Sequence, residues 1–101
     1  MKSTILLVDD DPVDLQAVRL LLEQAGFDVT TARSGAEAIG RIAAKSFDVV
    51  VTDLRMPVIS GEGVVEAVGR QCPEVPVVIV TGHGDIPSAV HAMKLGAFDF
   101  V

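Results

Sequence analysis

Acidic residues directly follow two apolar segments of the chain. Asp9, Asp10 and Asp11 come after residues 5–8, and Asp53 comes after residues 47–52. Packing of a buried strand gives no reason for concentrated negative charge at its end. Carboxylates held close together repel one another, and a hard divalent cation relieves that repulsion. The pattern therefore indicates a metal site. Mg²⁺ fits it best, because this ion prefers oxygen ligands and keeps waters that a phosphate can replace.

Asp53 is the candidate nucleophile. A carboxylate beside Mg²⁺ can attack phosphorus, because the metal neutralises phosphoryl oxygens that would otherwise repel it. Asp53 is the single acidic residue after its apolar segment, whereas Asp9 and Asp10 are adjacent and suit metal binding. Thr81 ends another apolar segment, where its hydroxyl would face a phosphoryl oxygen. Asp11 precedes Pro12 and is interpreted as a helix N-cap rather than a ligand.

Alternating strands and helices would bring these residues together. Apolar and β-branched residues predict strands at 4–8, 27–32, 47–52, 75–80 and 97–101. Apolar residues at helical spacing predict helices at 12–25, after the capping box at 34–37, at 63–69 and at 87–95. This order predicts an α/β fold with a doubly wound, five-stranded parallel sheet. Ligands bind beyond the carboxyl ends of such strands, where the acidic residues and Thr81 would converge.

Length and composition restrict the class of protein. The 101 residues suffice for one domain, and the net charge of -6 argues against direct contact with nucleic acid. No apolar segment approaches the length of a membrane span, and the start of the chain does not resemble a signal peptide. The single cysteine, Cys72, excludes an intramolecular disulfide, and we interpret it as a partly buried thiol. We therefore expect a soluble, cytoplasmic protein without a membrane partner.

The chain resembles the receiver domains of two-component response regulators. The matching motifs are Val8-Asp9-Asp10, Thr52-Asp53-Leu54-Arg55-Met56-Pro57 with Gly61, Val80-Thr81-Gly82 and Gly96-Ala97-Phe98-Asp99-Phe100. The resemblance implies a flavodoxin-like (CheY-like) fold and phosphoryl transfer from a histidine kinase to Asp53. It also implies Mg²⁺ bound by Asp9, Asp10, Asp53 and the backbone carbonyl of Arg55. Thr81 and Phe100 would then act as a coupled switch.

The same resemblance implies partners and a longer protein. It is strongest to receivers of bacterial transcriptional regulators with enhancer-binding ATPase or helix-turn-helix output modules, and it implies a sensor histidine kinase as partner. Dimerisation through helix four and strand five is a further implication. Receivers carry a lysine about three residues beyond the position of Phe100, whereas this sequence ends at Val101. We therefore expect that residues 1–101 are a receiver domain that lacks its last helix and its output domain.

Three other functions remain open on sequence grounds. A phosphorylation-independent docking module would keep the fold without the chemistry. A metal-dependent phosphatase is less favoured, because the position two residues after Asp53 holds Arg55, which cannot donate a proton at neutral pH. A flavin site is disfavoured by the lack of Trp and Tyr. The resemblance implies a signalling domain rather than an enzyme, in which Arg55 and His83 would tune the lifetime of the phosphoaspartate.

Overall fold

The computed structural model describes residues 2–80 and 86–101, with the backbone alone at positions 86, 88, 89 and 100. Strands and helices alternate, as the sequence predicts, and their ends lie within two residues of the predicted ones. The elements are β1 (Thr4–Val8), α1 (Pro12–Gln24), β2 (Asp28–Ala32), α2 (Gly35–Ala44), β3 (Val49–Asp53), α3 (Gly61–Gln71), β4 (Val77–Val80), α4 (Ile86–Leu95) and β5 (Asp99–Phe100).

The strands form one parallel sheet in the order β2-β1-β3-β4-β5. From β1 the chain adds β2 on one side, and it then crosses over to add β3, β4 and β5 on the other side. The strand order therefore reverses between β1 and β3, which is the point where doubly wound sheets bind ligands. The predicted fold class is confirmed.

The core has two layers, one on each face of the sheet. Leu6 and Val8 of β1 belong to the larger cluster, which includes residues of α2, α3 and α4. Leu7 belongs to a smaller cluster with Leu15 of α1 and Val29 of β2. Because β1 is buried on both faces, its sequence is continuously apolar rather than alternating.

Side-chain caps start the first two helices. The carboxylate of Asp11 accepts hydrogen bonds from the amides of Val13 and Asp14, which confirms its interpretation as an N-cap. The hydroxyl of Ser34 accepts one from the amide of Glu37. Within the described part of the chain, no helix is both long enough and apolar enough to cross a membrane.

Candidate metal and phosphoacceptor site

The three predicted carboxylates lie together at the point where the strand order reverses. Asp9 and Asp10 follow β1 directly, and Asp53 is the last residue of β3 rather than the residue after it. The two strands are paired, with Val8 opposite Thr52, so their carboxyl ends are adjacent. One carboxylate oxygen from each of Asp9, Asp10 and Asp53 lies within 4.8 Å of the other two.

Main-chain hydrogen bonds hold Asp9 in place. Its amide donates to the carbonyl of Ala32 at 3.1 Å, which continues the pairing of β1 with β2. Its carboxylate Oδ1 accepts from the amide of Asp11 at 2.9 Å. The turn that starts α1 therefore also fixes the direction of the Asp9 side chain, so one short segment both caps the helix and orients a carboxylate of the acidic cluster.

Asp53 is held by its neighbours in the chain. Its carboxylate Oδ1 accepts a hydrogen bond from the amide of Leu54 at 2.8 Å. The Thr52 hydroxyl donates to the carbonyl of Asp53 at 3.0 Å, and Thr52 is completely buried. Strand β3 is thus anchored in the core up to its final residue. None of these backbone contacts has a signature in the sequence, and sequence analysis did not find them.

The cluster carries excess negative charge. Burial raises the pKa of the Asp9 carboxyl above that of a free aspartate, and repulsion by Asp53, Asp14 and Asp10 raises it further. The hydrogen bond from the Asp11 amide lowers the pKa and only partly offsets these effects. A divalent cation among the carboxylates would remove the repulsion, and three carboxylate oxygens are a donor set suited to Mg²⁺.

The loop between β3 and α3 alternates between the core and the surface. Leu54 and Met56 are buried, whereas Arg55 between them is exposed. Val58 lies fully in solvent at a φ of 68°, a conformation that β-branched residues rarely adopt. The buried side chains of Leu54 and Met56 hold the loop next to Asp53, so packing against the core determines the conformation of the loop.

Gly61 brings the start of α3 against the end of β3. Its amide donates to the carbonyl of Leu54 at 2.9 Å. A Cβ at this position would lie 2.5 Å from the carbonyl oxygen of Asp53 and 2.9 Å from Cα of Leu54. The helix can therefore approach Asp53 this closely only with glycine at position 61.

The structure gives only partial information, or none, on the positions of the remaining predicted site residues. Thr81 and His83 lie outside the described residues. Phe100 is in β5, next to Ile79 of β4, but its side chain lies outside what the structure describes. Arg55 lies two residues beyond Asp53 in the loop, and a role for its carbonyl oxygen as a metal ligand stays a prediction.

Residues 5–101 match the family described as the response regulator receiver domain. The chain belongs to this family. The predicted resemblance is thereby confirmed, and the chain is a signalling domain rather than a conventional enzyme.

Curated relatives include regulators of transcription. The chain is 45% identical over 100 residues to the tetrathionate response regulatory protein TtrR of Salmonella typhimurium, covering 98% of this chain and 48% of TtrR. It is 42% identical over 101 residues to the C4-dicarboxylate transport transcriptional regulatory protein DctD of Pseudomonas aeruginosa, covering 99% of this chain and 22% of DctD. The chain thus spans about half of the first relative and less than a quarter of the second.

Solved structures share the fold. One is a response regulator protein from Burkholderia pseudomallei, determined with a phosphorylated aspartic acid, calcium ion and citrate. It superposes with a TM-score of 0.89 at 27% sequence identity, covering 98% of this chain and 58% of that one.

Proposed function

We propose that this receiver domain accepts a phosphoryl group on Asp53 from the phosphohistidine of a sensor histidine kinase. A carboxylate oxygen of Asp53 attacks phosphorus, the phosphorus–nitrogen bond to the donor imidazole breaks, and an acyl phosphate forms. The main observation behind the proposal is that carboxylate oxygens of Asp9, Asp10 and Asp53 lie within 4.8 Å of one another. They meet at the point of the sheet where the strand order reverses. The phosphorylated aspartic acid in the Burkholderia pseudomallei regulator gives independent support.

The metal in this proposal is Mg²⁺, held by the carboxylates of Asp9, Asp10 and Asp53 and by the carbonyl oxygen of Arg55. When bound, it supplies positive charge that offsets the phosphoryl oxygens. The protein itself positions the carboxylates. The Leu54 amide orients the Asp53 carboxylate, and the Asp11 amide orients that of Asp9. These hydrogen bonds fix the carboxylates before the donor arrives, so little reorganisation is needed.

The switch in this proposal consists of Thr81 and Phe100. A phosphoryl group on Asp53 is a new charged acceptor for the Thr81 hydroxyl, and the space that the threonine leaves lets the Phe100 ring turn inward. We expect Thr81→Ala to be phosphorylated normally but to lose the accompanying change in amide hydrogen exchange in α4 and β5. A full exchange response in this variant would contradict the switch.

The output in this proposal is an attached transcriptional module in a longer, cytoplasmic protein of which residues 1–101 form the receiver domain. Support comes from DctD, which is a transcriptional regulatory protein, and from the extension of both TtrR and DctD well beyond the matched region. The acidic receiver itself would not contact nucleic acid. Phosphorylation would also promote pairing of two copies through α4 and β5, where Val90 of α4 and the two residues that flank β5, Phe98 and Val101, are exposed. Sedimentation with and without phosphorylation tests this pairing.

The proposed function is tested by phosphorylating the natural full-length protein with acetyl phosphate and Mg²⁺. Intact mass should show one added phosphoryl group in the wild type and none in Asp53→Asn. Asp28→Asn is the matched control, because Asp28 is exposed at the start of β2, at the opposite edge of the sheet. Chelation of Mg²⁺ should abolish the modification. A wild type that stays unmodified would contradict the proposal and favour the phosphorylation-independent docking module.

A further inference from the structure

A cavity of about 370 Å³ opens at the edge of the sheet opposite to the acidic cluster. It lies where α2 and α3 end and where β3 and β4 begin, and three residue steps along β3, about 10 Å, separate its lining residue Val50 from Asp53. Its volume falls within the range of small-molecule sites. Ile42, Phe47 and Val75 form a small apolar floor above the fully buried Val50. We call this floor and its polar rim the basal cavity.

The rim of the basal cavity favours positive charge. Helices α2 and α3 both end there, and the unpaired carbonyls at helix C-termini carry partial negative charge. Glu74 and Asp48 add two carboxylates, of which Asp48 already accepts a hydrogen bond from the Thr4 amide at 2.7 Å. Among the described residues that line the cavity, Lys45 is the single base.

Lys45 already places a cation against the aromatic ring of this cavity. Its ammonium nitrogen lies 5.5 Å from the centre of the Phe47 ring, within cation–π distance. The lysine is exposed and reaches the ring on a flexible side chain. A ligand that carries a positive charge on an apolar body would take the place of this ammonium and would also fill the apolar floor.

We propose that the basal cavity binds a small organic cation with an apolar body, an arylalkylammonium being the simplest example. Its ammonium group lies between the Phe47 ring and Glu74, and its apolar part covers the partly exposed side chains of Ile42 and Val75. Lys45 acts as the internal competitor for the same ring. This site is separate from the phosphoacceptor and does not depend on the proposed function.

Cys72 supplies a reporter inside the basal cavity. It lines the cavity, is partly buried and is the single cysteine of the sequence. Benzylammonium is the probe, and its binding is measured as saturable protection of Cys72 from methyl methanethiosulfonate, a neutral thiol-specific reagent. The reaction is run at mildly alkaline pH, because burial raises the pKa of the Cys72 thiol. Benzyl alcohol is the neutral control and should protect much less.

Two charge variants give opposite outcomes. A rim charge about 6 Å from the bound ammonium changes a dissociation constant about threefold in a water-like dielectric. Glu74→Gln should therefore weaken benzylammonium binding about threefold, and Lys45→Gln should tighten it by a similar factor. Glu23→Gln, on α1 outside the cavity, is the matched control and should leave binding unchanged.

Dissociation constants, rather than modification rates, are compared, because Glu74 also raises the pKa of Cys72 and its removal alters the unprotected rate. Saturable protection with the two opposite shifts supports the proposal. Three results would overturn it: no saturable protection, equal protection by benzyl alcohol, or unchanged binding in Lys45→Gln.

Discussion

Gly61→Ala tests the close approach of α3 to the phosphoacceptor strand. The new methyl group would lie 2.5 Å from the Asp53 carbonyl oxygen and 2.9 Å from Cα of Leu54, against an ordinary contact of at least 3.4 Å. The oxygen would have to move by about 0.9 Å. Both neighbours are backbone atoms, one at the end of β3 and one in the buried Leu54 that follows, so no flexible side chain can move aside. Overpacking of this kind costs about 1–3 kcal/mol, and we expect the upper half of that range.

Gly69→Ala is the matched control, because it makes the same change in the same helix. No atom lies within 4 Å of the Cβ that would be added at Gly69. Alanine there should raise the free energy of unfolding by about 0.5–1 kcal/mol, since it stabilises a helix better than glycine. The two substitutions should therefore change stability in opposite directions.

Urea unfolding of the wild type and both variants measures the difference. We expect the unfolding free energy of all three proteins to fall with urea concentration at the same slope. The urea midpoint should be lower than that of the wild type for Gly61→Ala and higher for Gly69→Ala. Because the displaced carbonyl oxygen belongs to the backbone of Asp53, its movement should shift the Asp53 carboxylate, and Gly61→Ala should therefore also weaken Mg²⁺ binding, measured by calorimetric titration. If Gly61→Ala were as stable as the wild type, the steric reasoning would be refuted.

The remaining predictions concern the acidic cluster, a helix cap and the core. Asp9→Asn should raise the free energy of unfolding at neutral pH without divalent cations, because it removes a partly desolvated charge that its acidic neighbours repel, and solvent screening keeps the gain small. The raised pKa of Asp9 makes folding take up a proton, so the wild type loses stability as pH rises from about 3.8 through the folded pKa. Asp9→Asn should lack this loss in urea unfolding at several pH values, and an equal pH dependence would contradict the assignment. Asp11→Ala should lower thermal stability by about 1 kcal/mol, because the amides of Val13 and Asp14 lose their acceptor; an unchanged midpoint would show that water replaces the cap. Leu6→Ala, at a fully buried position, should cost about 2–5 kcal/mol in urea unfolding, and a cost below 1 kcal/mol would mean that the core collapses around the change.

Local patterns were sufficient to predict most of the elements. The continuous apolar segment of β1 and the Asp11-Pro12 start of α1 are determined by nearby residues. The length of α3 was underestimated, since the sequence predicts a helix only over 63–69 and the structure has Gly61–Gln71. Its glycines lower helix propensity, but burial of Val64, Val65 and Val68 stabilises the helix through tertiary packing.

The sequence by itself was sufficient to predict which carboxylates are candidate metal ligands and which is the candidate phosphoacceptor, because carboxylate chemistry and the residues next to each aspartate are local properties. Tertiary structure decided the rest. Asp9 and Asp53 meet only because β1 pairs with β3 and the strand order reverses between them. The hydrogen bonds that orient their carboxylates come from backbone amides, and the basal cavity arises where two helices end. These features depend on how distant segments pack, which no local pattern of residue types encodes.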